Sequence, residues 1–168
     1  LVPNPTRDAS GAIDAGSERV ARIDPTHLDT ETLAMSGMIV IDHPGKLPIE
    51  SINTLAGLMR RGRGVLYIAA ESVDASNLKL LSDAAGNDMK LPVEFLPPPP
   101  NTERRDLFLA DWKKDQAPFA SLGESAAALF GPVRFAGGLG SQQIAGGLSD
   151  DVLATYSDRS AALVITTC

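Results

Sequence analysis

The sequence predicts an α/β protein: a three-layer sandwich whose sheet is mostly parallel, with an antiparallel extension toward the C-terminus. Two observations lead to this prediction. Between Met38 and Glu71 the chain reads as strand, loop, helix, tight turn and strand, which is the pattern of a βαβ unit. In the last third of the chain, apolar segments are separated by short polar turns, as in antiparallel hairpins. Parallel strands are normally covered by helices on both faces, and this gives the three layers.

The βαβ unit is the most clearly patterned part of the chain. Its strands are predicted at residues 38–42 and 65–69, and both are continuously apolar, as in strands that are buried on both faces. Between them, Pro48 is suited to a first helical turn and Gly62 to the position just past the helix end. The helix is predicted from apolar residues that recur at three-to-four spacing and form one face: Ile49, Ile52, Leu55, Ala56 and Met59.

The other predicted elements are shorter. A loop or partly ordered arm is expected at 1–17 and a single α/β domain at 18–168. Within that domain the predicted order is a strand at 20–23, a weak helix at 26–35 capped by Thr26 or Asp29, a helix at 75–85 and a strand at 91–96. Residues 107–112 are expected to form a strand or the start of a helix, 118–130 an amphipathic turn region, and 133–135 a strand. A hairpin of 152–156 and 161–166 closes the chain. The prolines at 97–100 predict an extended spacer, and the glycines at 137–147 predict a loop.

Charge and composition exclude several classes of function. The 168 residues carry a net charge of −6, which argues against nucleic acid and against anionic membrane surfaces as partners. The basic cluster of Arg60, Arg61 and Arg63 is interpreted as helix ends rather than as an anion site. Cys168 is the only cysteine, so no disulfide and no cysteine-type zinc site can form within the chain. No segment is long and apolar enough to span a bilayer.

Polar residues follow both strands of the βαβ unit, where ligands of open parallel sheets bind. Asp42 and His43 follow the first strand, and Glu71 and Ser72 follow the second, so these four residues form the candidate strand-end cleft. Ser72 or Asp74 is expected to cap the next helix, and His43 to be a loop residue. A serine nucleophile with His43 as base lacks the Gly-x-Ser-x-Gly elbow. A metal held by the two acids and the histidine matches no established spacing, so no cofactor or metal is predicted.

The same segments resemble a known family. Residues 41–47 through 64–66, with the hairpin of 152–156 and 160–164, are similar to the class I glutamine amidotransferase-like fold, which is a flavodoxin-like sandwich. The resemblance is closer to its degenerate version in large bacterial membrane-anchored proteins that also carry a von Willebrand factor A domain. It covers roughly residues 38–85 and 133–168. Because the chain begins at Leu1 rather than methionine and stops after an apolar run, we expect an excised piece of a longer protein.

The resemblance implies a domain without catalytic apparatus. Active members place a nucleophile in Gly-x-Cys-x-Gly after the second strand, and the matching residues 69–73 here read Ala-Ala-Glu-Ser-Val. The family's histidine comes late in the chain, whereas His27 and His43 are both early. The implied function is a non-catalytic interaction or ligand-sensing module whose partners are other domains of a membrane-anchored parent chain, with this domain outside the cytoplasm, or a separate protein. A hydrolase using Ser72 with His43, or a small-molecule binder at the same cleft, remains the alternative.

Overall fold

The computed structural model describes residues 6–7, 13–14, 20–86, 89–97, 103–144 and 151–166, and these residues form a mixed α/β structure. In chain order the elements are β1 (Thr6–Arg7), β2 (Ile13–Asp14), α1 (Thr30–Met35), β3 (Met38–Asp42), α2 (Ile49–Met59), β4 (Gly64–Ile68), α3 (Ser72–Ala85), β5 (Val93–Phe95), β6 (Leu109–Trp112), a 3-10 helix (Phe119–Leu122), α4 (Ser125–Phe130), β7 (Ser141–Gln143), β8 (Val152–Tyr156) and β9 (Ala161–Val164). In the predicted arm, β1 and β2 pair antiparallel, and the rest of it lies outside the described residues.

The βαβ unit is confirmed. Strands β3 and β4 pair in parallel, from Met38 opposite Gly64 to Asp42 opposite Ile68, with α2 as the connection between them. Pro48 is the N-cap of α2, where an N–H is not needed. Gly62 follows the helix with φ of 80°, a backbone conformation that favours glycine. The predicted helix, with Pro48 at its start and Gly62 beyond its end, is therefore correct to within two residues.

The two strands are covered on one face only by the described elements. Along β3, Ile39 and Ile41 are each 8% exposed, whereas Met38 is 49% and Val40 is 40% exposed. The buried pair belongs to a core with α2 and α3, whose buried members are Leu33, Ile39, Ile41, Leu47, Ile52, Leu55, Ala56, Leu58, Leu81, Ala85 and Met89. The prediction that both faces are buried is wrong for the described residues, because every second residue of the apolar run is exposed.

Helices α1 and α3 end at their predicted last residues, but α1 begins at Thr30, four residues after the predicted 26. Asp29 is the N-cap of α1, and its carboxylate accepts hydrogen bonds from the amides of Glu31 and Thr32. In α3, Leu78 and Leu81 are buried as predicted, and Gly86, with φ of 100°, follows the last helical residue. The helix starts three residues earlier than the predicted 75, because the expected turn at 70–74 contributes its first helical turn.

The arginine cluster binds the C-terminal ends of other helices. Arg63 Nη2 donates to the carbonyl of Ala34 at 2.7 Å and Nη1 to that of Ser36 at 3.3 Å, at the end of α1. Arg60 Nη1 donates to the carbonyl of Ala84 at 3.0 Å, at the end of α3. These carbonyls have no partner within their own helix, so the guanidinium groups satisfy them and complement the helix dipoles. The helix-end interpretation of Arg60 and Arg63 is confirmed.

The second half of the described chain is antiparallel. The predicted hairpin is confirmed as β8 and β9, and β6 pairs with the other edge of β8. These strands pack with the 3-10 helix and α4 around a second core, whose buried members are Phe119, Leu153 and Ala154. Strands β5 and β7 form a separate antiparallel pair. The Ser141 hydroxyl in β7 accepts a hydrogen bond from the Ala161 amide in β9 at 3.0 Å, which joins this pair to the hairpin.

Several predicted features of the sheet are not confirmed. Among the described strands only β3 and β4 are parallel, and the hydrogen-bonded strands form four separate sheets. A mostly parallel sheet with an antiparallel extension at its edge is therefore absent from this part of the chain. Residues 20–23 form no strand, and 133–135 contribute only one bridge, between Phe135 and Leu107, because the chain turns at Gly137 and Gly138, with φ of 78° and 74°. The described helices include none with the length and apolarity needed to cross a bilayer.

Candidate functional site

The four residues of the predicted cleft lie where the parallel strands end. Asp42 is the last residue of β3, His43 follows it, Glu71 is the N-cap of α3, and Ser72 is its first residue. All four side chains are exposed. Because β3 and β4 run in parallel, both loops lie at the same edge of the strand pair. We call these four residues the strand-end surface.

Asp42 and His43 are joined by a hydrogen bond between Asp42 Oδ1 and His43 Nδ1. This bond, the charge of Asp42 and the more distant charges of Glu71 and Asp74 raise the pKa of His43 above its ordinary 6.5. His43 has φ of 48°, a left-handed conformation that is uncommon for non-glycine residues but that histidine, asparagine and aspartate adopt more often than others. It is a loop residue bonded to its neighbour, as predicted, and its imidazole is held within the field of three carboxylates.

The start of α3 is organised by Asp74 rather than by Ser72. The carboxylate of Asp74 is 1% exposed, and its Oδ2 accepts hydrogen bonds from the amides of Ala70 at 2.9 Å and Glu71 at 2.8 Å. These amides follow the strand where the resembled enzymes carry their nucleophile. They are engaged by Asp74 and are not directed at a ligand. The prediction that Ser72 or Asp74 caps this helix is correct only for the role of Asp74: Glu71 occupies the N-cap position, Asp74 accepts its amide as the third helical residue of a capping box, and Ser72 is the first helical residue.

A buried polar network ties both strand-end loops together. Tyr67 in β4 donates its hydroxyl to Asp74 Oδ1 at 2.8 Å and accepts from Asn77 Nδ2 at 2.9 Å. Asn77 also donates to the carbonyl of Gly45 at 2.7 Å and accepts from the amide of Leu47 at 3.1 Å. Burial, together with the bond to Asp74, raises the pKa of Tyr67. We call Tyr67, Asp74 and Asn77 the strand-end network, because it fixes the loop after β3 to the loop after β4.

Sequence reasoning missed two members of this network, Tyr67 and Asn77. The signal that identifies Asn77 lies in the spacing along α3: Asp74, Asn77, Leu78 and Leu81 follow each other at helical intervals and share one buried stripe. A polar residue inside an apolar stripe needs a partner, because an unpaired buried amide is costly. Tyr67 carried no such signal, since an apolar strand accepts tyrosine for its ring alone.

Two contacts that a hydrolytic or metal site would use are not seen at the strand-end surface among the described residues. The hydrogen bond of His43 goes to Asp42, and none joins His43 to Ser72 among the described residues. The described residues also contain no group of three histidine, cysteine or acidic side chains that could hold a metal ion. A metal site formed by Asp42, His43 and Glu71 is therefore not supported. What the arrangement offers is a rigid, exposed, acidic edge that can pair with a cationic group.

No family model matches the chain, and neither a curated protein nor a solved structure matches it.

Proposed function

We propose that this domain is a non-catalytic interaction or ligand-sensing module that presents its strand-end surface to another domain of its parent chain or to a separate protein. The observation that supports this most directly is the strand-end network. It holds both loops in place from beneath and consumes the backbone amides of Ala70 and Glu71, while Asp42, His43 and Glu71 remain exposed above it. Rigid loops with exposed charges reduce the ordering cost of association.

The proposal includes the finer classification. We infer a degenerate class I glutamine amidotransferase-like domain with a flavodoxin-like, three-layer architecture, in a membrane-anchored bacterial parent and outside the cytoplasm. The βαβ unit, its glycine turn and the final hairpin support the resemblance. The residues at the nucleophile position, 69–73, contain no cysteine. In a three-layer arrangement, the third layer lies on the face of β3 and β4 that the described elements leave open.

The interaction is tested with the segments that flank this domain in its parent chain, each expressed separately. Binding to the isolated domain is measured by isothermal titration calorimetry for wild type, Glu71→Gln and His43→Ala. Loss of one exposed charge pair is expected to weaken binding about two- to fivefold. Glu124→Gln is the matched control, because Glu124 is also an exposed N-cap glutamate, at the start of α4. Equal binding by all four proteins, or binding by none, contradicts the proposal.

The hydrolase alternative predicts a different result. Wild type, Ser72→Ala and His43→Ala are assayed against p-nitrophenyl esters, p-nitroanilides and glutamine. We expect no turnover that depends on either side chain, because no hydrogen bond joins Ser72 to His43 among the described residues and the amides of Ala70 and Glu71 are already bonded to Asp74. Turnover that Ser72→Ala abolishes, in a variant that remains folded by circular dichroism, would replace the interaction module with an enzyme.

A further inference from the structure

The parallel strand pair has an apolar face that the described elements leave open. In β3, Met38 and Val40 are 49% and 40% exposed, and Ile68 in β4 is 41% exposed. The register places Val40 opposite Leu66 and Asp42 opposite Ile68. Side chains alternate along a strand, so these residues share the face opposite to the first core. Asp42 thus belongs to two surfaces: it ends the open face and begins the strand-end surface.

Both faces of this strand pair carry apolar side chains, but the described helices cover only one of them. Helix α2 connects the strands, and with α3 it buries one face. A strand of five residues spans roughly 16 Å at about 3.3 Å per residue, and a helix of about eleven residues has that length. This matches the 11 residues of α2. The open face is the same length, and its apolar residues offer the same kind of surface to a second helix.

The charges at the end of the open face select the direction of such a helix. Asp42 and Glu71 are exposed at the carboxyl ends of the strands. A helix that runs antiparallel to the strands brings its N-terminus, the positive end of its dipole, to these two carboxylates. A lysine or arginine near that end would pair with Glu71 and with Oδ2 of Asp42, since Oδ1 of Asp42 is bonded to His43. The apolar open face and the carboxylates at its end therefore favour the same occupant, an amphipathic helix with a basic N-terminal turn.

We propose that the open face of β3 and β4 binds an amphipathic helix of a partner polypeptide, about three turns long, that lies antiparallel to the strands with a basic side chain at Asp42. The helix supplies the third layer of the sandwich in trans. This inference rests on the proposed function as an interaction module and names the chemistry of the partner.

Two synthetic peptides test the proposal with the full 168-residue protein. Both are helical 16-residue designs with the same leucine face, and one has lysines in its first turn where the other has glutamates. We expect the lysine peptide to bind saturably and to shift the methyl resonances of Met38, Val40, Leu66 and Ile68 in NMR titrations. Fluorescence anisotropy gives the affinities. The glutamate peptide is expected to bind more weakly, by about threefold or more for the lost charge pairs.

Three variants locate the binding surface. Val40→Asp is expected to weaken binding of the lysine peptide at least about tenfold, because it puts an unpaired charge under an apolar contact. Asp42→Asn is expected to weaken the lysine peptide about threefold and to leave the glutamate peptide unchanged or tighter. The control Ile144→Asp replaces an exposed aliphatic residue (45% exposed) next to β7 and should change neither affinity. Circular dichroism establishes that each variant is folded.

Four results overturn the inference. The first is no saturable binding of the lysine peptide at millimolar concentration. The second is binding that Val40→Asp does not weaken. The third is a dimer in sedimentation velocity that Val40→Asp dissociates, since the occupant is then a second copy of this chain. Binding of parent-chain segments that depends on Glu71 but not on Val40 would reject this inference and leave the proposed function intact. If the peptide binds at Val40 but no parent-chain segment shows binding that depends on Glu71, the open face would be a binding site and the proposed role of the strand-end surface would be wrong.

Discussion

Each half of the molecule is held by a polar cluster, and the two clusters differ in burial and in reach along the chain. In the first half, Asp74 and Asn77 are each 1% exposed, and they bond Tyr67 across seven and ten residues of sequence. In the second half, Arg104 donates through Nε and Nη2 to Asp158 at 3.0 and 2.8 Å, across 54 residues, with side chains 13% and 37% exposed. The first cluster is buried, and its hydrogen bonds span at most 32 residues, from Gly45 to Asn77. The other is long-range and partly exposed.

The difference has consequences for stability. Among the described residues, the first half contains a core of eleven buried residues and the second half a core of three. Local contacts close short loops, and contacts across more than fifty residues close long ones at a higher entropic cost. Buried hydrogen bonds are also protected from water, whereas exposed ion pairs contribute little. We therefore expect the first half to dominate the stability of the domain, and the predictions below test that expectation.

The largest effect is expected from truncation in the first core. Ile52 is 0% exposed in α2, so Ile52→Ala should lower the free energy of unfolding by about 3–5 kcal/mol. Ile49→Ala, on the same helix but 53% exposed, is the matched control and should cost within about 0.5 kcal/mol. Urea unfolding followed by circular dichroism measures both. Similar losses for the two variants would mean that α2 does not pack as described.

The same measurement compares the two cores. Leu153 is 4% exposed in β8, and Leu153→Ala should cost about 2–3 kcal/mol, because a small cluster collapses more readily around a cavity. Hydrogen exchange then shows which amides lose protection. Ile52→Ala should raise exchange at 38–85 more than at 107–164, and Leu153→Ala the reverse. If each variant reduced amide protection equally in both halves, the two halves would unfold as one cooperative unit and would not differ in stability.

A smaller effect is expected from the strand-end network. Asp74→Ala leaves the amides of Ala70 and Glu71 and the hydroxyl of Tyr67 without their partner, so the free energy of unfolding should fall by about 2–3 kcal/mol. Ser72→Ala, at the exposed first position of the same helix, should change it by less than about 0.5 kcal/mol. If Ser72→Ala lowered the free energy of unfolding as much as Asp74→Ala does, the start of α3 would be stabilised by Ser72 and not by Asp74.

The second cluster is expected to contribute less and to be sensitive to acid. Burial alone would raise the pKa of Asp158, but hydrogen bonds from Ser160 and Arg104 outweigh it and hold the pKa below its ordinary 3.8. A lowered native pKa stabilises the fold at pH above 3.8, and this contribution disappears as the pH falls through the native value. Arg104→Ala should cost about 1–2 kcal/mol near neutral pH.

Two variants distinguish the titration of Asp158, in its ion pair with Arg104, from general unfolding at acid pH. Asp158→Asn removes the titrating group and should flatten the loss of stability below about pH 4. Glu94→Gln changes an exposed acid elsewhere in the antiparallel half and should leave that loss unchanged. Thermal unfolding at a series of pH values gives the comparison. An Asp158→Asn profile that falls as steeply as that of wild type would show that Asp158 titrates normally.

The same contrast explains which features could be predicted from the sequence. The βαβ unit, the ends of α2, the C-terminal end of α3 and the final hairpin follow from patterns within about thirty residues, and these predictions are confirmed. The network at Asn77 and the cluster at Arg104 depend on residues that meet only after the chain has folded. Strand β7 was missed because Ser141 and its neighbours follow a glycine-rich loop and are polar, and only their pairing with β5 makes them a strand.

The prediction of how the strands form sheets and layers was wrong for a related reason. A continuous apolar run indicates a strand, but it does not show how many of its faces are covered. In β3 the run continues onto the open face at Met38 and Val40, which are exposed among the described residues. The positions of Asp42, His43, Glu71 and Ser72 at one edge were predictable, because parallel strands end together. Their hydrogen bonds were not, since those depend on the left-handed turn at His43.

The smallest effect concerns His43, and it bears on the strand-end surface directly. The bond to Asp42 raises the pKa of His43 above 6.5, so the protonated form is favoured in the folded protein. Its stabilising contribution is fully present below pH 6.5 and is lost as the pH rises through the raised native value. An NMR titration of the imidazole should give a midpoint above 6.5, and Asp42→Asn should lower it, whereas Glu94→Gln should not. A wild-type midpoint at or below 6.5 would mean that Asp42 is not engaged by its neighbour and that its whole charge is free for the partner helix.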